Sequence, residues 1–449
     1  MAKKKTINQL KIDHLRYPDK GIAFLGEDEI IVRHSLPGQL IEAECSRKKK
    51  QRFGRILQVL TPAPQELSPS CPDFGICGGC SFLNIPYKYE LTLKQKMLTS
   101  LFKEFWDDEI PIIPSPNIEG YRNKMEFSFG DSGKDAPLAL GIRKRNNFYE
   151  VTVPKDCAII PNDFKTIALA TLEHFRDSKE TFYHRMRHTG TLRYLVLRRG
   201  EFTGEVLVNL VSTSGIDITF VKQWSSSLLT AKLEGKIAGI LHTTSDVVSD
   251  AVVPEDVKTL YGRNYFYDEI CGLHFRISTF SFFQTNSAGA ELLYNTVAEF
   301  AGKAEQVFDL YCGTGTIAQV IAPHAKNVIG IELVPEAIEA AKENAQLNGI
   351  NNCQFIAGDV LKIINEADLG KPDVMILDPP RDGIHPKALP KLIDFAADKI
   401  VYVSCKPSSL ARDLPAFLDA GYKLTDMRAH DMFARTPHVE LVALLTRKK

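Results

Sequence analysis

The chain has 449 residues, 44% of them hydrophobic and 24% charged, with Lys plus Arg balanced by Asp plus Glu at 55 each. That length exceeds one typical core and implies two or three units, and the charge balance excludes capture of a polyanion by the field of the whole molecule, so only local basic patches remain for that task. No apolar run approaches the about eighteen residues of a membrane span, and Met1-Ala2-Lys3-Lys4-Lys5 leads into no secretory core, so a cytoplasmic chain with no membrane partner is expected.

From residue 7 to 60 short alternating runs, at 21–25, 29–32, 39–43 and 55–60, are broken by Gly and Pro. Such spacing predicts a small β-barrel over residues 1–62. Basic residues gather here, in Lys3-Lys4-Lys5 and in Arg47-Lys48-Lys49-Lys50-Gln51-Arg52 with Arg55. Alone, a charge run reads as a solvated hairpin; carried on a small barrel it predicts an RNA-binding face.

Thr61-Pro62-Ala63-Pro64 and Ser68-Pro69-Ser70 form a turn-rich linker. Cys71, Cys77 and Cys80 follow it, with Gly78-Gly79 between the last two and Cys157 further on. In a reduced compartment nine cysteines point to metal binding or catalysis rather than to disulfides. Zinc and an iron–sulfur cluster both accept four thiolates; three close cysteines with one remote partner suit the cluster better than the paired knuckles common for zinc. A helix near 87–105 and then mostly strands, such as 124–129 and 193–198, make residues 63–275 a mostly-β central unit.

Residues 276–449 alternate short apolar runs (307–310, 328–331, 354–356, 374–377, 400–403) with amphipathic stretches of helical length. This order predicts a doubly wound, Rossmann-like, mostly parallel sheet whose ligands sit at the carboxyl ends of its strands. The whole is therefore a multidomain α/β chain. Its first strand runs into Asp309-Leu310-Tyr311-Cys312-Gly313-Thr314-Gly315-Thr316, a tight turn that exposes backbone N–H groups. The turn also satisfies the dinucleotide fingerprint, and Glu332 at the second strand's end suits a ribose in either case. Asp359 ends the third strand, where it faces an adenine amino group or caps a helix. The fourth ends in Asp378-Pro379-Pro380-Arg381, which resembles the motif that many nucleic-acid methyltransferases place between cofactor and base, and this favours S-adenosylmethionine over nicotinamide or flavin. Cys312 reads as a small side chain in a crowded turn.

Cys405 stands at the carboxyl end of the fifth strand, beside the Asp378 loop. A thiol there is suited to one demanding reaction. Carbon 5 of uracil is too poor a nucleophile to attack a methyl sulfonium, but thiolate addition at carbon 6 gives carbon 5 carbanion character. A general base must then remove the carbon 5 proton so that the thiolate can leave. Glu440, at the start of an apolar run, and His438 both qualify, and spacing does not separate them.

Taken together, Cys71 with Cys77-Gly78-Gly79-Cys80, Phe283-Gln284-Thr285-Asn286, Asp309 to Thr316, Asp378-Pro379-Pro380-Arg381, Ser404-Cys405 and Pro437-His438-Val439-Glu440 resemble the bacterial RNA uracil-5 methyltransferase family, specifically its 23S ribosomal RNA branch, over nearly the whole chain. The N-terminal unit, with Leu36-Pro37-Gly38-Gln39, resembles that branch's TRAM RNA-binding domain. The resemblance implies Cys405 as nucleophile and Glu440 as proton acceptor. It implies Gln284, Tyr311, Thr316, Glu332, Asp359 and Asp378 as the S-adenosylmethionine site, and Cys71, Cys77, Cys80 and Cys157 as ligands of a 4Fe-4S cluster. Tyr121-Arg122-Asn123-Lys124 is similar to the family's RNA-contacting strand start, and Phe282 or Phe283 is expected to meet the extruded base. A 23S rRNA substrate follows from the same resemblance, and a monomer without an obligate protein partner is expected. Transfer RNA as substrate, a cytosine-5 or base-nitrogen methyltransferase, and a non-catalytic RNA-binding iron–sulfur protein are the competing readings.

Overall fold

The computed structural model describes residues 6–49, 51–133, 136–145, 147, 150–366 and 369–447. Five strands, Thr6–Arg16, Lys20–Leu25, Asp28–Arg33, Leu40–Lys48 and Gln51–Thr61, close into a barrel, the fourth pairing antiparallel with the first. Closure removes the free edges that a five-stranded sheet would otherwise expose. Alternation sends Leu10, Ile12, Ile30, Val32, Ile41 and Ala43 into a small apolar interior. The strand Thr6–Arg16 escaped the sequence reading because its inward Leu10 and Ile12 are interleaved with Lys, Asp, His and Arg. Arg47, Lys48 and Lys49 are exposed where the fourth strand turns into the fifth, whereas Arg52 and Arg55 are engaged by Asp28 at 2.6 Å and Glu44 at 3.3 Å. Lys3, Lys4, Lys5 and Lys50 lie outside the described residues.

The central unit is a seven-stranded sheet in the order Asp256–Gly262, Lys236–Thr244, Glu205–Ser212, Leu192–Arg199, Lys124–Asp131, Leu138–Arg143, Val151–Thr152. Among the described strands of this sheet only the pair Glu205–Ser212 and Lys236–Thr244 runs parallel, and a parallel pair needs a crossover, which the helix Ile218–Leu228 supplies. That helix and Asn162–Arg176 cover the sheet with Phe164, Ile167, Phe175, Val221, Trp224 and Leu228. Neither helix was read from the sequence, although Phe164, Ile167, Ala168, Thr171, Leu172 and Phe175 recur at helical spacing and are all buried.

In the C-terminal unit the order is Cys353–Ala357, Ala325–Glu332, Ala304–Leu310, Val374–Leu377, Lys399–Ser404, Glu440–Arg447, Tyr422–His430, Ile112–Ile113. The first five are mutually parallel and match the five apolar runs; Glu440–Arg447 is inserted antiparallel between its neighbours. That insertion departs from the all-parallel dinucleotide order. The chain reverses direction between Lys399–Ser404 and Glu440–Arg447, pairing Ser404 with Leu441, so Cys405 and Glu440 emerge at the same edge of the sheet.

The cores do not follow the linear order of the chain. Phe82, Leu93, Met97, Leu98 and Phe102, around the helix Tyr87–Phe102, pack with Phe308, Met375, Tyr402 and Leu441 on one face of the C-terminal sheet, and the barrel adds Leu15, Tyr17, Leu36 and Ala63 to the same core. On the other face the hairpin Tyr265–Ile270 and Leu273–Ser278 inserts Phe266, Ile270, Phe275 and Ile277. Each such side chain contributes about 1.5–3 kcal/mol on full burial, so barrel and central segments are held to the sheet that carries the site. No helix among the described residues is long and apolar enough to cross a membrane.

Candidate active site

After the strand Ala304–Leu310 the backbone takes left-handed values at Tyr311 (φ 65°), Gly313 (φ 53°) and Gly315 (φ 71°). A Cβ on Gly315 would also lie 2.6 Å from the Phe355 ring, so glycine is required there by space as well as by conformation. At Gly313 a Cβ would meet nothing within 4 Å, which leaves open room beside the turn. Tyr311 adopts a conformation that costs a non-glycine residue roughly 1 kcal/mol, and its N–H is anchored on the Ile331 carbonyl at 2.9 Å. Glu332 braces the same turn, accepting from Gly313 N at 3.2 Å through one oxygen and from Val334 N at 3.0 Å through the other.

Above the carboxyl ends of the strands lies a cavity of about 1790 Å³ lined by Gln284, Tyr311, Glu332, Asp359, Asp378, Arg381, Cys405, His438 and Glu440, among others. It sits where the strand order reverses between Ala304–Leu310 and Val374–Leu377, the expected ligand position of an open α/β sheet. Thr316 is absent from this lining: it is buried at the start of the helix Thr316–Ile321, its hydroxyl 3.4 Å from that of Thr314. Asp359 does cap the helix Val360–Glu366, its Oδ1 accepting from Leu361 N at 2.8 Å, and it lines the cavity as well.

Acidic groups crowd at and beneath the cavity, with Arg381 as the opposing cation. Burial, then the charges of Glu440 and Asp378, push the Cys405 thiol up to about 11, against which Arg381 acts by its charge and a hydrogen-bonding contact. Burial raises Asp378 to about 7. Glu440 is driven well above the usual carboxylate range by burial and by Asp378, with Arg381 opposing. Asp309, fully buried, is raised to about 8 by burial and then by Asp378; its Oδ2 accepts from Ala318 N at 3.0 Å and its Oδ1 has no partner among the described residues. Burial lowers the His438 imidazole and Arg381 lowers it further, so this ring is held neutral. Glu440, but not His438, is among the groups whose charge bears on Cys405.

Sequence reading did not single out Asp309 or Arg381, although both stand inside the quoted motifs, because a motif does not say which of its members is desolvated. Tyr17 was also missed: it comes from the barrel, yet the charges of Glu440 and Cys405 both act on its phenol. Of the two phenylalanines, Phe283 is core, its ring 5.8 Å from Phe275, while Phe282 is 67% exposed and lines the cavity beside Phe280. The expectation for 121–124 needs correction at two positions. Tyr121 and Asn123 are buried ties, Tyr121 OH donating to Ala434 O at 2.8 Å and Asn123 N to Thr285 O at 2.9 Å; Arg122 alone of the four lines the cavity.

Cys71, Cys77, Cys80 and Cys157 are brought together closely enough that the charges of Cys157, Cys77 and Cys71 each help to raise the Cys80 thiol, which burial mainly drives to about 12. Gly79 N donates to Cys77 Sγ at 3.2 Å, and Arg145 holds the carbonyls of Cys77 (2.8 Å) and Cys80. Among the described residues no group of three or more His, Cys, Asp or Glu side chains is arranged to hold a metal ion.

Comparison with known proteins gives this site its family. The profile of a family described as tRNA (Uracil-5-)-methyltransferase matches residues 262–448. A Clostridium tetani protein described as an uncharacterized RNA methyltransferase is 46% identical over 98% of this chain and 97% of its own length. A similarly described Clostridium acetobutylicum protein is 42% identical over 100% and 99%. The crystal structure of Pyrococcus abyssi tRNA (uracil-54, C5)-methyltransferase in complex with S-adenosyl-L-homocysteine superposes with a TM-score of 0.77 at 28% identity, covering 97% of this chain and 100% of that one. With relatives this similar over nearly their full length and a uracil-5 profile across the sheet that carries the cavity, the chain belongs to the RNA uracil-5 methyltransferase family.

Proposed function

We propose that the protein transfers the methyl group of S-adenosylmethionine to carbon 5 of a uridine in 23S ribosomal RNA through a covalent Cys405 adduct. The observation that carries this reading is the convergence of Cys405, Asp378, Arg381 and Glu440 on one cavity at the strands' carboxyl ends. In the proposed cycle the Cys405 thiol releases its proton to solvent, the Arg381 guanidinium stabilising the thiolate, and Sγ adds to carbon 6 of the uracil while the ring electron pair moves onto the carbon 4 oxygen as an enolate. Carbon 5 then takes the methyl group and S-adenosylhomocysteine departs. Glu440 removes the carbon 5 proton, the C6–S bond breaks, and the electron pair returns to sulfur. Glu440 is preferred to His438 because a desolvated carboxylate beside Asp378 is strongly basic, whereas His438 is a weakened base.

Gln284, Tyr311, Glu332, Asp359 and Asp378 would hold the cofactor along the cavity wall, with Thr316 shaping the turn from behind. Arg47, Lys48 and Lys49 on the barrel would supply phosphate contacts. Cys71, Cys77, Cys80 and Cys157 would be the ligands of a 4Fe-4S cluster, a reading that rests on the family resemblance and on their sulfur-only chemistry beside Gly78 and Gly79, their side chains not being arranged around a metal position in this structure. A brown protein absorbing near about 400 nm with iron and sulfide is expected; stoichiometric zinc without iron after anaerobic purification contradicts the cluster.

The Pyrococcus abyssi neighbour, named for uridine 54 of transfer RNA, favours a second reading in which the substrate is tRNA. Incubation with methyl-labelled S-adenosylmethionine and total RNA, followed by separation and nucleoside mapping, decides between them. Label in 5-methyluridine of 23S rRNA supports the proposal, label in tRNA supports the second reading, and label on cytosine or on a base nitrogen overturns both.

A further inference from the structure

Arg198, in the central strand Leu192–Arg199, is only 2% exposed. It forms no salt bridge among the described residues; Glu126 and Asp268 act on it only through their charge, and burial pushes its pKa down to about 10. Asp268 is occupied elsewhere, accepting from Phe202 N at 3.0 Å and from Ser287 Oγ at 2.6 Å. The Arg198 Nη1 instead donates to three main-chain carbonyls of one turn: Ser278 at 2.8 Å, Thr279 at 3.3 Å and Ser281 at 2.5 Å.

A buried cation without a contacting carboxylate is unfavourable, and an apolar side chain of similar volume would serve stability as well or better. What the cation does hold is a display. Phe280 and Phe282, 40% and 67% exposed, lie on and beside this turn at the cavity. The far end of the same segment is tied to the same sheet: Asn123 donates through its backbone to Thr285 O at 2.9 Å and through Nδ2 to Ser287 Oγ at 2.9 Å. Asn123 O in turn accepts from Arg199 N at 2.9 Å, so one end of the segment is held directly by Arg198 and the other through Asn123, which is itself held by Arg199. Two large rings are thus held in the open between fixed points, at the mouth of a cavity of about 1790 Å³.

We infer that Arg198 is a positioning residue for the RNA base: by gripping the carbonyls of Ser278, Thr279 and Ser281 it presets Phe280 and Phe282 as a stacking clamp. The inference rests on the reading of the cavity as the site of RNA uracil methylation. A rigid clamp loses less conformational entropy when a base stacks than a mobile one does, so Arg198 acts on RNA affinity and not on methyl transfer itself.

The test is a double-mutant cycle on the full-length protein, with the KM for RNA and the KM for S-adenosylmethionine measured separately. Phe282→Ala is expected to raise the RNA KM about tenfold, within the usual range for loss of base–aromatic stacking. Arg198→Met is expected to raise it by a similar factor while the cofactor KM stays within about twofold, and Arg198→Lys, which keeps the charge and a donor, is expected to recover part of the loss. In the Phe280→Ala/Phe282→Ala background, Arg198→Met is expected to cost little more. Full additivity, or an equal rise in both KM values, overturns the inference; Arg198→Lys carries the same cycle if Arg198→Met does not fold. Wild-type protein that transfers no methyl group to RNA overturns the functional reading and the inference together, whereas additivity in an active enzyme overturns the inference alone.

Discussion

Two buried clusters of charge lie close to one another and are built on opposite principles. In the first, Lys94 Nζ reaches Glu90 at 2.7 Å and Asp431 at 2.6 Å, Tyr87 OH reaches Asp431 at 2.7 Å, and Arg435 N reaches Glu90 at 2.7 Å. Burial raises Glu90 and the ammonium of Lys94 pulls it back, so opposite charges meet directly. In the second, Asp378 and Glu440 act on Cys405 with Arg381 as the opposing cation, Asp309 is buried within reach of the charge of Asp378, and all three carboxyls and the thiol are raised. The first cluster ties the helix Tyr87–Phe102 to the loop that leads into Glu440, and although burial leaves Glu90 raised to about 6, Glu90 and Asp431 each have the Lys94 ammonium in direct contact. The second keeps groups poised to gain and lose protons and to receive a cation. Pairing produces rigidity; the lack of pairing produces reactivity.

If this contrast is right, substitutions in the two clusters fail in different ways. Cys405→Ala is expected to lower methyl incorporation by at least about 10⁴-fold with folding intact, measured by labelled methyl transfer and circular dichroism; substantial residual activity would remove the nucleophile from the account. Glu440→Gln is expected to slow turnover by about 10²–10⁴-fold and, unlike Cys405→Ala, to accumulate a protein–RNA adduct visible on a denaturing gel. Lys94→Met should do the reverse, lowering stability by about 3–5 kcal/mol because Glu90 and Asp431 are left buried without their cation, while the folded fraction retains its activity per molecule.

Smaller effects sharpen the comparison. Burial raises Asp378 to about 7, so below that pH it takes up a proton and, in the proposed cofactor site, would lose the charge offered to a cationic cofactor. Affinity for S-adenosylmethionine, followed by calorimetry, should therefore weaken by roughly three- to tenfold from pH 8.5 to 5.5, about the worth of up to one pKa unit of coupling; Asp378→Asn should flatten that profile. Asp309, raised from 3.8 to about 8, favours the native state in its protonated form. Its contribution is fully present below about pH 4 and is lost as pH rises through 8, so Asp309→Asn should gain stability relative to wild type over that window. A gain of about 1 kcal/mol or more in urea unfolding at pH 8 is expected, and none at pH 4.

The contrast between the clusters also marks how far sequence reading reaches. The C-terminal sheet was legible because each strand ends in a chemically marked residue: the glycine turn after Leu310, Glu332, Asp359, Asp378 and Cys405. Local spacing carries that information. It does not carry the link of Lys94 to Asp431 across 337 positions, or the grip of Arg198 on carbonyls 80 to 83 residues away, since a backbone carbonyl has no side-chain signature. The same limit explains Tyr121 and Asn123, which the family resemblance placed in an RNA-contacting strand start but whose side chains are spent on Ala434 O and Ser287 Oγ. Nor did alternation reveal that the helix Tyr87–Phe102 and the hairpin at 265–278 belong to the cores of the C-terminal sheet, because apolar faces do not name their partners.

The most direct test of the account uses RNA in which 5-fluorouridine replaces uridine, incubated with the protein and S-adenosylmethionine. Fluorine at carbon 5 cannot leave as a proton, so Glu440 has nothing to abstract and the adduct cannot resolve. The account predicts a denaturation-resistant protein–RNA complex whose peptide map places the bond on Cys405, absent from Cys405→Ala. Full methylation of unmodified RNA by the same preparation with no trapped complex, or a complex joined through another residue, would contradict it.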